Sequence, residues 1–169
     1  DEGIAKLKAQ LGRFNRPSRY GMGVYNEFAG RDQVRHFCQG IGDGNPLFQD
    51  EEYARKTKYG CIIAPPCFLY SVYWCAGRVG GLPGVHGFHS GNDWEFDRTI
   101  YVNDGITVKE QFTDIQEKKS EFARRTVITY SVATYHNPRG EVLARTRFWQ
   151  VRAEREAAQL RGAGPQAVV

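Results

Sequence analysis

The stretch that most constrains what this chain can fold into is the run 66–79, which is apolar on every side apart from Ser71 and Arg78. A helix without a polar face has to be enclosed by other elements. Pro65 and Pro66 suit its first turn, where a missing N–H does least harm, and Gly80 and Gly81 suit its end. The run is too short for a bilayer, which takes about 20 apolar residues. It is therefore expected to lie inside the protein.

Downstream of this run the chain reads almost entirely as strands. Trp94, Phe96 and Arg98 alternate against Glu95, Asp97 and Thr99, Asn103-Asp104-Gly105 reads as a turn, and a strand comes next over 106–115. A longer strand over 121–135 turns at Asn137-Pro138-Arg139-Gly140 and returns over 142–152. Upstream, Tyr20, Met22, Val24 and Phe28 stand at even positions, the pattern of a first strand, and Ile4, Leu7 and Leu11 share one face of a short helix. One buried helix among antiparallel strands predicts an α+β fold, a curved antiparallel sheet wrapped around a central helix. The pattern predicts a single domain over 1–154, with 155–169 as a polar helix and a flexible tail or linker.

With 169 residues, 41% of them hydrophobic, the chain can fill a real core. The net charge of +4 tolerates an anionic ligand, but acids are interspersed with the bases, so nucleic acid is not an expected partner. The four cysteines, Cys38, Cys61, Cys67 and Cys75, form no Cys-x-x-Cys pair, and three of them fall among apolar residues. They read as structural thiols of a soluble cytoplasmic protein without a signal peptide or membrane insertion.

Val34, Phe37, Cys38 and Ile41 form a helical stripe that delivers the chain to Gly42-Asp43-Gly44-Asn45-Pro46-Leu47-Phe48-Gln49-Asp50. His36 shares that helix but stands beside the stripe, as a surface residue would. The next helix opens with Asp50, Glu51 and Glu52 and closes with Arg55, Lys56 and Lys58, the order a helix dipole favours. Gly42 and Gly44 free the backbone for left-handed conformations, so the Asp43 carboxylate can face a cleft. Taken alone, the pentapeptide 42–46 is also an ordinary turn.

Together with Gly60-Cys61-Ile62-Ile63-Ala64-Pro65-Pro66-Cys67-Phe68-Leu69, this loop resembles the MaoC-like family of (R)-type enoyl-CoA hydratases and dehydratases, over about residues 31–149. The resemblance implies the hot-dog fold and a site in which Asp and His of a Gly-Asp-x-Asn-Pro-(Leu or Ile)-His motif hold the water that adds to an acyl thioester's double bond. Asp43 and Asn45 match that motif, but Phe48 stands at the position of the His. A phenyl ring has no lone pair for a water and no proton to move, and a general base is worth about 10²- to 10⁴-fold. Where the family has Ala-(Pro or His)-Gly, with the Gly N–H donating to the thioester oxygen, this chain has Ala64-Pro65-Pro66, and Pro66 has no N–H. Such a donor is worth about 10²- to 10³-fold. No catalytic residue is expected in this chain; Asp43, Asn45, Phe48 and Pro66 mark a degenerate site.

Family members work as double hot dogs in which one half holds the Asp/His pair and the other shapes the acyl tunnel. The resemblance therefore implies an accessory subunit, in a heterodimer or heterotetramer with a small catalytic MaoC-like subunit that acts on an acyl-CoA. Candidate substrate-binding residues are Asp43, Phe48, Cys67, Tyr70, Trp74, His86 and His89, with Ala76 and Gly77 leaving room beside them; each also reads as ordinary packing. No cofactor is expected, because coenzyme A is part of the substrate, and His86 and His89, in a glycine-rich stretch read as a mobile loop, have no further ligands in sight for a metal. The pattern is similar to the N-terminal domain in the larger subunit of actinobacterial steroid side-chain enoyl-CoA hydratases. Three alternatives stay open: a subunit of a long-chain 3-hydroxyacyl-ACP dehydratase, a homodimeric hydratase using Asp43 with His86 or His89, and a non-enzymatic tether.

Overall fold

The computed structural model describes residues 2–15, 24–75, 85–120 and 124–154. Three long antiparallel strands dominate it: β5 (Thr107–Ser120), β6 (Arg124–His136) and β7 (Val142–Glu154), preceded by β3 (Val85–Phe96). β3 pairs with β7, and the short β1 (Phe14–Asn15) pairs with β5, giving a five-stranded sheet in the order β1-β5-β6-β7-β3. β2 (Ile63–Ala64) and β4 (Ile100–Tyr101) form a separate two-stranded pair.

Register irregularities between Phe112 and Asp114 and between His89 and Gly91 interrupt the ladders, and bulges of this kind increase strand bending and twist. The face that packs inward carries Val108, Glu110 and Phe112 from β5, Ala133 and Tyr135 from β6, and Ala144, Thr146 and Phe148 from β7, all buried. Against it lies a 3-10 turn, Pro66–Phe68, running into the short helix α4 (Leu69–Val72), whose Phe68, Leu69 and Val72 are fully enclosed. Helix α2 (Arg31–Ile41) adds Val34 and Cys38 to the same core, and α3 (Glu51–Arg55) comes after it. Helix α1 (Glu2–Lys8) sets Leu7 against Phe112 and Ile115 of β5. This is the expected arrangement, a curved antiparallel sheet around a central helix.

The central helix is shorter than the run 66–79 predicts. Helical geometry ends at Val72, and Tyr73 is extended, with φ −147 and ψ 121, and bridged to Val24. The Tyr73 hydroxyl is taken by Glu110 of β5. The helix is also enclosed on one side only: Cys67, Tyr70 and Trp74 are exposed. Residues 76–81, including Ala76, Gly77 and the expected helix end, lie outside the described residues.

Other expectations shift in detail. The first strand falls at Phe14–Asn15, while Val24 and Phe28 make only isolated bridges, and residues 16–23 lie outside the described set. Both His86 and His89 stand in β3 instead of in a loop, because pairing with β7 overrides the local glycines. Two cysteines, Cys38 and Cys75, are buried, whereas Cys61 and Cys67 are exposed. The expected tail over 155–169 and the start of the strand at 121–123 lie outside the described residues.

Candidate functional site: the Asp43 loop and the mouth of the central helix

The loop that ends α2 is folded by its own polar groups. Gly42 takes φ 72, a left-handed cap, and the Cys38 carbonyl accepts the Asp43 N–H at 2.8 Å. Gly44, by contrast, is not among the glycines with positive φ, so only one of the two uses that freedom. The Asp43 carboxylate accepts the Asn45 N–H at 3.0 Å, and the Asn45 side chain accepts the Leu47 N–H at 3.0 Å. Asn45 thereby caps the 3-10 turn Pro46–Phe48. Gln49 Nε2 donates to the Asp43 carbonyl at 2.6 Å, and the Asp50 carboxylate caps α3 through the Tyr53 N–H at 3.0 Å. Asp43 is half-buried, with Asn45 exposed beside it.

Phe48, at the position where the motif calls for His, turns its ring onto the main core cluster. Cys38 and Cys67 both feel the Asp43 charge. Burial pushes the Cys38 thiol up first, with Asp43 and Cys67 adding to it, and burial also leads for Cys67, again reinforced by Asp43. Both thiols are therefore held protonated, which disfavours nucleophilic chemistry by either. His36 is exposed and within 3.1 Å of the Arg35 guanidinium, as a surface residue.

Pro66 opens the 3-10 turn at the mouth of the central helix. A half-open cleft of about 290 Å³ lies beside it, walled by Tyr59, Ile63, Ala64, Phe96 and Arg98. Farther along the exposed side of the helix, Trp94 Nε1 donates to the Tyr70 hydroxyl at 2.8 Å, and Trp94 stacks on Phe96 with ring centroids 5.5 Å apart. Tyr70 and Phe96, which both contact the Trp94 ring, are 38% and 48% exposed, an aromatic patch on β3, the last strand of the sheet among the described residues; Trp74 is 57% exposed.

His89 is exposed on β3 opposite Gln150, and His86 is opposite Ala153. Among the described residues no group of three His, Cys, Asp or Glu side chains could hold a metal ion. Nor is any described helix long and apolar enough to cross a membrane.

One polar cluster escaped the sequence reading. Beneath the end of α4, the Tyr73 hydroxyl donates to Glu110, the Cys75 thiol lies 3.0 Å from the Tyr135 hydroxyl, and Tyr135 donates to the Tyr73 carbonyl at 3.2 Å. Glu110 is 2% exposed, and its Oε1 has no partner. Burial pushes the Tyr73, Tyr135 and Cys75 protons up, Cys75 to about 12. A signal was present: Ile106, Val108, Glu110 and Phe112 alternate as core positions of one strand, and a glutamate breaks the series.

Comparison with known proteins agrees with this geometry. The FAS1-like dehydratase domain region matches residues 22–146. A probable enoyl-CoA hydratase alpha subunit of Thermomonospora curvata is 29% identical over 165 residues, covering 86% of this chain. The chain spans about half, 50%, of that curated relative's length. Among solved structures, the ChsH1-ChsH2 complex of Mycobacterium tuberculosis superposes with a TM-score of 0.66 at 16% identity, over 90% of this chain and 95% of that one. The C-terminally truncated HadBC complex, a 3R-hydroxyacyl-ACP dehydratase of Mycobacterium tuberculosis, superposes with a TM-score of 0.62 at 16% identity, over 84% and 96%. The chain belongs to the FAS1-like dehydratase domain region, within the MaoC-like (R)-hydratase family, and has the hot-dog fold of that family.

Proposed function

We propose that this chain is the accessory, substrate-shaping subunit of a heteromeric MaoC-like enoyl-CoA hydratase. Its partner is a small MaoC-like subunit that supplies the catalytic Asp and His, and the product is the 3-hydroxyacyl-CoA formed by adding water across the double bond. The observation that carries this reading is Phe48: the Asp43 loop keeps its shape, yet the residue at the base position is a phenyl ring packed on the core. Pro66, without an N–H at the mouth of the helix, points the same way.

The face for the partner is the edge of β3, which among the described residues pairs only with β7, with Tyr70 and Phe96 exposed on it. An edge strand offers unpaired backbone groups to another chain, and exposed aromatics give the contact its apolar area. The heteromeric ChsH1-ChsH2 and HadBC complexes, which share the fold, support a two-chain assembly, as heterodimer or heterotetramer. Asp43, Phe48, Cys67, Tyr70, Trp74, His86 and His89 form this half's contribution to the acyl site. The substrate is a bulky enoyl-CoA, of the steroid side-chain type, processed in the cytoplasm without a further cofactor.

The test is hydration of a steroid-type and a straight-chain enoyl-CoA by the chain alone and after co-expression with a small MaoC-like subunit. Turnover only in the co-purified complex, with the steroid-type thioester preferred, is the expected result. Turnover by the chain alone contradicts the accessory role, and preference for a long-chain acyl-ACP moves the assignment to a 3-hydroxyacyl-ACP dehydratase.

A further inference from the structure

We propose that the outer face of the sheet, the one turned away from the central helix, is an interface with a second copy of this chain, packed sheet against sheet about a two-fold axis that runs along the strands between β6 and β7. This face is separate from the β3 edge assigned to the partner subunit, and the contact does not depend on the accessory-subunit reading.

The strands themselves point to it. An antiparallel sheet with one covered face alternates apolar inside and polar outside. Over 128–132 β6 does the reverse: Thr129 and Ser131 are 3% exposed on the inner face, while Ile128, Tyr130 and Val132 stand half-buried on the outer one. Ile128 is in register with Val151 of β7, which is itself opposite Phe88 of β3, and Tyr130 is in register with Trp149, which is opposite Gly91. These two neighbouring rows form one apolar band across three strands. Gly91, with no side chain, lets the Trp149 indole lie across β3, and the Arg147 guanidinium covers the Tyr130 ring at 4.4 Å. Aromatic residues and arginine are the types enriched in interface cores, and a contiguous apolar patch on a sheet face marks a contact surface.

The placement of charge selects a second copy as the occupant. Two rows beyond Tyr130, the same face carries Lys109, Thr134, Arg145 and Glu95 in register, one on each of β5, β6, β7 and β3. Arg145 is bonded to Asp97 at 2.6 Å, but Lys109 and Glu95 are exposed and neither makes an ion pair among the described residues. They stand three strand spacings apart, about 14 Å, too far to meet within one chain. A two-fold axis along the strands reverses the strand order, so β6 lies over β7 of the second copy and β5 over its β3. Ile128 then meets Val151 of the second copy, Tyr130 meets its Trp149, and Lys109 meets its Glu95. One rotation covers the apolar band and pairs both leftover charges, as a self-complementary contact requires. Sheets packed face to face in this way lie about 10 Å apart with their strands within about 30° of each other.

The experiment is sedimentation velocity on the full chain alone, with circular dichroism as the check on folding. The wild type is expected to be a dimer, and I128T/V151T, which keeps both residues β-branched and so suited to a strand, to be a folded monomer. K109E and E95K, at exposed positions, each raise the dimer dissociation constant about five- to tenfold, and K109E/E95K returns it to within about twofold of the wild type. Because the two residues do not touch within one chain, that recovery requires contact between copies. A wild-type chain that stays monomeric up to about 0.1 mM overturns the proposal. So does a dimer that survives I128T/V151T, which would place self-association at another face such as the β3 edge, and so does a double charge variant no tighter than its single parents. None of these readings uses turnover, so they stand or fall apart from the hydratase function.

Discussion

The Asp43 carboxylate accepts the N–H of Asn45 at 3.0 Å, so the side chain that would orient a catalytic water is tied into its own turn. Asn45 in turn caps the 3-10 turn that carries Phe48. Replacing Asn45 with Ala removes that cap and lowers stability by about 1 kcal/mol, read by urea denaturation. An unchanged midpoint would mean that the loop is held by Gln49 and Asp50 alone.

Phe48 and Pro66 are two separate defects, and repairing one leaves the other. Phe48→His provides an imidazole, worth about 10²- to 10⁴-fold as a base, and Pro66→Gly returns an N–H worth about 10²- to 10³-fold. Each single variant of the isolated chain is expected to stay at background in a short-chain enoyl-CoA hydration assay, with turnover emerging in the double variant. Activity in Phe48→His alone would show that the missing donor at Pro66 is dispensable.

Gly91 lies under Trp149 where β3 meets β7. A Cβ built there would sit 2.4 Å from the Trp149 ring, so Gly91→Ala forces the indole or the edge strand to move. The expected cost is about 1–3 kcal/mol in chemical denaturation, and, on the proposed docking of the partner at β3, capture of the partner weakens as well. Wild-type stability in this variant would place slack at the β3–β7 bulge.

Alkaline pH should expose the buried knot around Tyr73. Burial holds the Cys75 thiol at about 12, against 9.0 for an ordinary cysteine, so the native state keeps a proton that the unfolded chain releases. Stability from that proton is complete below pH 9.0 and is lost as pH rises toward about 12. Within that window one retained proton corresponds to a slope of about −1.4 kcal/mol per pH unit. Tyr73 and Tyr135, also raised by burial, steepen the decline further. Cys75→Ser removes about one proton from the slope measured by denaturation at stepped pH; an identical slope contradicts a buried protonated thiol.

Much of this architecture is written locally. The apolar run after Pro66, the alternation along β6 and β7 and the Asn137–Gly140 turn all carry their instructions within a few residues. The end of the helix does not, because the Tyr73 backbone is bridged to Val24 and its hydroxyl is held by Glu110, 37 residues further along the chain. Local composition was misleading at His86 and His89, where neighbouring glycines suggest a loop but strand pairing with β7 prevails. The exposure of Cys67, Tyr70 and Trp74 was also illegible, since an apolar run looks the same whether its outer face meets its own chain or another. In the candidate site, the Asp43 and Asn45 turn and the Phe48 and Pro66 departures could be read directly, because each depends on residue type at a motif position.

In the heteromer proposed above, which subunit's carboxylate performs the chemistry is decided most directly by paired substitutions in the co-purified complex. Asp43→Asn keeps an acceptor for the Asn45 N–H while removing the charge, and the same change is made in the partner's Asp-x-Asn-Pro motif. With the partner as the catalytic half, kcat falls at least about 10²-fold for the partner's substitution and by less than about tenfold for Asp43→Asn. A collapse of kcat on Asp43→Asn, with the partner's motif intact, would contradict the accessory role of this chain.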